Sequence, residues 1–151
     1  MNDFNPNKKE YDPRMHSAEH ILNQTMVRMF NCGRAISAHI EKKKSKCDYR
    51  FDRNLTPEEI AAVEKKVNEV ISLDLPIKES FLGRDEAAAR FMLSRLPEDA
   101  GNTIRIITIG DYDACPCSGT HASTTKEIGL FKIGSTAFEN GLLRVRFKLE
   151  E

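Results

Sequence analysis

Two short segments about a hundred residues apart constrain this chain more than anything else in it: His16-x-x-x-His20 within HSAEH, and Cys117-x-x-x-His121 within CSGTH. Four residues of helix advance about 6 Å and roughly one turn, so the imidazoles of the first pair can aim at one point. A thiolate and a third imidazole, carried by a glycine-containing segment, complete a tetrahedron with metal bonds of roughly 2.0 to 2.3 Å, which is a zinc donor set. A fold that uses both pairs must bring its first helix against its last third.

The composition limits what such a fold can be. A chain of 151 residues with 40% hydrophobic content is the size of one domain with one substantial core. Lysine plus arginine equals aspartate plus glutamate at 23 each, so a nucleic-acid contact must rest on a local patch, and a histone-like binder is excluded. The opening MNDFNPNKKEYDPR has no apolar leader core, and no apolar run is long enough to cross a bilayer. A soluble, cytoplasmic protein with no membrane partner is expected. Cys32, Cys47, Cys115 and Cys117 are then read as reduced thiols, which leaves a thiolate free for metal.

Residues 1–11 are polar and read as a loose arm, and residues 12–151 as the domain. Apolar residues recur at helical spacing from Pro13 to Phe30, with Gly33 as the stop. Ala35 to Ile40 and Lys46 to Asp52 read as a hairpin around EKKKS. Thr56-Pro57-Glu58-Glu59 is a capping box opening a helix of about sixteen residues. Leu75 to Leu82 is extended, Arg84 to Leu96 helical, and Thr103 to Ile109 a buried strand that delivers the chain to the cysteine segment. Thr124-x-x-Glu127 is a second capping box, and Asn140-Gly141 joins Leu130 to Glu139 to a last strand alternating Leu143, Val145, Phe147 and Leu149 with Arg144, Arg146 and Lys148. These elements predict a single α+β domain, mainly antiparallel sheet packed against helices.

Three kinds of site fit these residues. Four protein ligands make either a closed structural zinc or one that works on a substrate, and the small polar residues Ser17, Ser118, Gly119, Thr120 and Ser123 around them suit a pocket for a small polar ligand. HSAEH also fits H-x-x-E-H of inverted zinc peptidases, with Glu19 as general base and Glu86 as the carboxylate ligand, but this leaves Cys117 and His121 unexplained. Lys42, Lys43, Lys44 and Lys46 at one turn, with Arg144, Arg146 and Lys148 on one strand face, would form a phosphate-binding track if they converge near the metal.

HSAEHILNQ, the hairpin ending in YRFD, and CSGTHASTTKEIGLFKI together resemble the editing domain shared by alanyl- and threonyl-tRNA synthetases, the second additional domain, and the free-standing alanyl-tRNA editing proteins. The resemblance implies that His16, His20, Cys117 and His121 bind Zn2+ and act in catalysis through it. It implies a substrate, the acceptor end of a mischarged tRNA(Ala) carrying serine or glycine, whose ester is hydrolysed in trans. Gly119 and Thr120 fall in its GTH core and are substrate-binding candidates, with Thr120 contacting the serine hydroxyl. Ser37 or His39 stands where the family has a polar pocket group on its first hairpin strand. The family's usual CGGTH reads CSGTH here. The alternative is a non-catalytic tRNA-binding module with a structural zinc. A dimer is one way such a short chain would gain selectivity for the acceptor stem.

Overall fold

The computed structural model describes residues 12–91 and 103–150. Helix α1 (Pro13–Phe30) opens where the Asp12 carboxylate accepts from the Arg14 amide at 2.9 Å, with Pro13 pre-set at the first helical position. It ends at Asn31, left-handed at φ 56°, whose amide donates to the Val27 carbonyl. Asparagine tolerates that conformation, so the stop lies two residues before the expected Gly33. Helix α2 (Pro57–Ser72) has both halves of its capping box: Thr56 Oγ1 accepts from the Glu59 amide, and the Glu59 carboxylate accepts from the Thr56 amide.

The strands are β1 (Ser37–Ile40), β2 (Ser45–Arg50), β3 (Ile77–Gly83), β4 (Thr103–Ile109), β5 (Asp113–Pro116), β6 (Leu130–Glu139) and β7 (Leu142–Glu150). They form two antiparallel sheets, in the orders β1-β2-β7-β6 and β3-β4-β5. Asn140 and Gly141 both have positive φ, the requirement of the two-residue turn that matches strand twist, and join β6 to β7. Ala18, Ile21, Leu22 and Met26 of α1 and Val63, Val67 and Val70 of α2 pack with Tyr49, Phe131, Val145 and Phe147 in one core. Both helices therefore cover one face of the four-stranded sheet and leave the other to solvent. The result is an α+β domain, and no helix among the described residues is long and apolar enough to cross a membrane.

Two expected elements differ. Helix α3 covers Arg84–Arg90 only: Phe91 is extended at φ −137°, because its ring leaves the helix to pack on Ala87, Ile104 and Ile106. Residues 92–96 of the expected helix, like the expected arm 1–11, lie outside the described residues. The Thr124 hydroxyl caps nothing; Thr124 bridges Pro76, and Glu127 accepts from the Ser123 amide instead, ahead of a 3-10 turn at Thr125–Ile128.

Thr125, fully buried, ties three segments together. Its hydroxyl accepts from the Leu75 amide at 2.8 Å and donates to the Ile71 and Val70 carbonyls that end α2. Thr125→Val keeps the shape and strands those groups, so urea unfolding is expected to show a loss of about 1–3 kcal/mol with an unchanged m-value.

Candidate metal centre

Every residue of α1 from Met15 to Asn23 is buried, the polar ones included. The apolar stripe faces the sheet, and the polar stripe faces the segment after β5. That segment is held from outside by Arg105 of β4, whose Nη1 donates to the Cys117 carbonyl at 3.0 Å and the Gly119 carbonyl at 2.7 Å. Strand β5 itself was not legible as a strand: four residues containing Asp113 and Pro116 carry little strand propensity, and proline is tolerated there because β5 is an edge.

One nitrogen or sulfur from each of His16, His20, Cys117 and His121 lies within 4.8 Å of all the others. His16 Nδ1 is 3.1 Å from the Thr120 carbonyl, which can only accept, so Nδ1 carries the proton and Nε2 presents a lone pair. That Nε2 is 3.4 Å from Cys117 Sγ. His121 Nδ1 bonds Ser17 Oγ at 3.0 Å, Ser17 Oγ accepts from the Ala122 amide, and His121 Nε2 stands 3.6 Å from the same sulfur. Tetrahedral bonds of about 2.0 Å to nitrogen and 2.3 Å to sulfur span a nitrogen–sulfur edge of about 3.5 Å. The donor set and its spacing fit a metal ion, with His16 and His121 stacked at 4.2 Å and His20 edge-on to both.

The surroundings fix the fourth ligand as well. His20 Nδ1 is buried without a hydrogen bond and lies 3.6 Å from Asp113 Oδ2. Asp113, fully buried at its side chain, receives Arg34 Nη1 at 2.7 Å, Arg34 Nη2 at 3.3 Å and Gln24 Nε2 at 2.8 Å. Burial works against the Asp113 charge, yet His20 and Arg34 outweigh it and hold the carboxyl well below its usual range. A buried carboxylate behind an imidazole orients the ring and makes the metal-facing nitrogen a better donor. The sequence offered Asp113 as nothing more than a residue four before the cysteine, and Arg34 as a loop cation.

Without metal the four groups form a charge relay of their own. Burial raises the Cys117 thiol, but the adjacent imidazoles of His121, His16 and His20 outweigh it and bring the pKa down to about 3. Burial opposes a charged His20, but Asp113, Cys117 and Glu19 raise it to about 9. Burial, with the neighbouring imidazoles, lowers His121 to about 4 against the pull of Cys117. At neutral pH the cluster is therefore a thiolate facing an imidazolium.

Glu19 is buried, with Oε2 taken by Asn23 Nδ2 at 2.8 Å and Oε1 3.6 Å from His16 Nε2. Asn23 Oδ1 in turn accepts from Tyr49 and from the Ala35 amide. The peptidase arrangement lacks its parts here: the thiolate stands among the donors, and Glu86 is exposed on α3. Cys115, raised to about 11 by burial, stays outside the cluster. Ser37 and His39 lie on the outward face of β1, Ser37 bonded to Asp48 and His39 paired with Glu41, and the structure does not bring them to the four donors. The Thr120 side chain is exposed beside the cluster, and the Gly119 amide donates to Cys117 Sγ.

Residues 104–145 match the threonyl and alanyl tRNA synthetase second additional domain. Alanine–tRNA ligase of Leptospira biflexa is 38% identical over 125 residues, 78% of this chain and 13% of that protein. Those of Coxiella burnetii and Fervidobacterium nodosum are 35% and 31% identical over 81% and 91% of this chain. The chain is related to this second additional domain. It spans 13% to 16% of the length of these ligases, so the likeness concerns one module of them. The family match includes Cys117 and His121 and ends before the last residues of β7.

Two measurements test the centre. Because His20, raised to about 9, holds a proton that a metal must displace, Zn2+ binding should release that proton, and apparent affinity should rise about tenfold per pH unit on its account up to about pH 9, then level off. Calorimetry in buffers of different ionisation enthalpy reads the proton count. Asp113→Asn should weaken Zn2+ binding about 10- to 100-fold in chelator competition while circular dichroism stays native.

Proposed function

We propose that this chain is a zinc-dependent trans-editing hydrolase that removes serine, and glycine alongside it, from mischarged tRNA(Ala), working in the cytoplasm with the translation machinery. The observation that carries the reading is the His16, His20, Cys117 and His121 cluster in a chain related over most of its length to alanine–tRNA ligases.

The reaction adds water across the aminoacyl ester: the bond between the carbonyl carbon and the terminal ribose oxygen breaks, that oxygen takes a proton, and a free amino acid leaves. An aminoacyl ester is already activated, so orientation of the ester and one water supplies most of the needed acceleration. Zinc would be held by His16, His20, Cys117 and His121, where it supplies a positive charge that positions the amino acid or polarises an oxygen. The chain's own residues do the rest. His16 and His121 keep their Nδ1 protons on Thr120 and Ser17, so the donors stay aimed at one point. Arg105 keeps the CSGT backbone in place. The Thr120 hydroxyl makes no hydrogen bond among the described residues and is offered at the mouth, where a serine hydroxyl can pair with it. An alanyl group leaves that partner unmet, which is the physical basis for sparing correctly charged tRNA.

Purified protein is expected to deacylate Ser-tRNA(Ala) at least about tenfold faster than Ala-tRNA(Ala), with Cys117→Ala abolishing the activity. Intact binding of both without hydrolysis by the zinc-loaded protein would instead indicate the non-catalytic module with structural zinc.

A further inference from the structure

The chain is neutral overall, yet it does not spread its charge evenly. The solvent face of the four-stranded sheet sets like charges in direct register: Lys46 of β2 faces Arg146 of β7, and Lys132 of β6 faces Lys148 of β7. Like charges directly opposite one another destabilise a sheet, so this register costs stability without a structural return. Lys46, Lys132 and Arg146 enter no ion pair among the described residues, while Lys148 reaches only the half-buried Glu150 at 3.6 Å. At the end of that sheet the turn between β1 and β2 adds Lys42, Lys43 and Lys44, all exposed and without an ion pair among the described residues. The acids nearby are already engaged: Asp48 accepts both ends of the Arg144 guanidinium, and Glu41 pairs with His39. What remains is a row of cations on the solvent face of the sheet with few ion-pair partners among the described residues.

The position of that row relative to the metal donors follows from the chain path. Four residues past the α1 cap, the Ala35 amide donates to Asn23 Oδ1, so the chain has already doubled back beside the middle of α1. Strand β1 therefore runs on toward the end of the helix that carries His16 and His20, and the lysine turn follows it.

We propose that this outward face, with Lys46 and Arg146 at its centre and the lysine turn at its edge, holds the phosphate backbone of a nucleic acid, and that the bound strand passes the turn to reach the metal end. Taking that nucleic acid to be the tRNA acceptor stem rests on the function proposed above; the cationic surface itself does not. A polyanion of regular spacing suits strand-borne cations about 4.7 to 5.5 Å apart across the sheet better than a single anion does. Each phosphate neutralised releases counterions, so the contact has a salt signature that separates it from shape-driven binding.

The test uses the whole protein and uncharged tRNA in filter binding over a range of salt concentrations, a readout independent of deacylation. Lys46→Glu with Arg146→Glu is expected to weaken binding about tenfold or more near 0.1 M salt and to reduce the slope of log affinity against log salt by about two. Neutralising the turn, with Lys42, Lys43 and Lys44 changed to Gln, should act in the same direction, and it does not touch the sheet register if the first variant folds poorly. An equal charge change on the exposed side of α2, Lys65→Glu with Lys66→Glu, should leave the slope within experimental error. Unchanged affinity and slope in the sheet and turn variants, or an equal loss in the α2 variant, overturns the proposal. So does loss of binding to anionic phosphatidylserine vesicles with tRNA binding intact, which would assign the face to a membrane. Retained tRNA binding by a protein that deacylates nothing would sink the hydrolase and leave this surface standing.

Discussion

The proton shared between His16 Nδ1 and the Thr120 carbonyl joins residues 104 apart in sequence, and the site exists only because that span is closed. Closing a loop of that length costs about 4 kcal/mol in chain entropy, while one such hydrogen bond returns about 1. The closure is carried elsewhere. Ala18, Ile21 and Leu22, interleaved with the two histidines, are completely buried against the sheet and α2, so the same turns of helix that aim the donors also anchor them. A metal ion arriving at these donors meets a site whose backbone is already fixed by apolar packing, unlike a small zinc module that has no core of its own.

The charges around the donors are arranged in depth. Arg34 neutralises Asp113, Asp113 faces His20, and His20 faces the Cys117 thiolate, so positive and negative groups alternate from the protein side toward the metal position. Isolated buried charges are costly, and alternation is what lets four of them share so small a volume. Glu19 adds a second carboxylate on the other side, restrained by Asn23 and, through it, by Tyr49 of the sheet. A dication held here would meet one thiolate directly and two carboxylates at one remove, which would bring the centre close to neutral. Such a centre would favour holding and orienting over strong Lewis acidity.

How much of this the sequence carried depends on whether the signal was local. The two main helices were legible to the residue at their starts, α1 from the helical spacing of its apolar residues and α2 because Thr56-Pro57 with Glu59 is a cap whose chemistry acts within one turn. The Asn140-Gly141 hairpin and the alternation of β7 were legible for the same reason. The end of α3 was not, since Phe91 leaves the helix for a contact with Ile104 and Ile106 of a strand that follows it. The four donors announced themselves by residue type and spacing. Their supports did not: Asp113, Arg34 and Arg105 are ordinary charged residues whose roles come from partners between 12 positions away (Arg105 to Cys117) and 89 away (Gln24 to Asp113) or more.

Helix α1 explains why the polar half of the site was the harder half to read. Its apolar residues mark one stripe, and an amphipathic pattern normally assigns everything else to water. Here much of the remainder, Ser17, Glu19, His20 and Asn23 among it, is buried too, under β2 and the segment after β5, while Gln24 and Arg28 are not. Apolar burial is announced by periodicity, while polar burial is announced only by the partners that satisfy it. Those partners come from β2 and from the 117–122 segment, Tyr49 for Asn23 and the Ala122 amide for Ser17. A helix buried on both sides cannot shift against one neighbour without disturbing the other, so the sheet that presents the cations and the loop that presents Cys117 are held in fixed relation by a single rigid element.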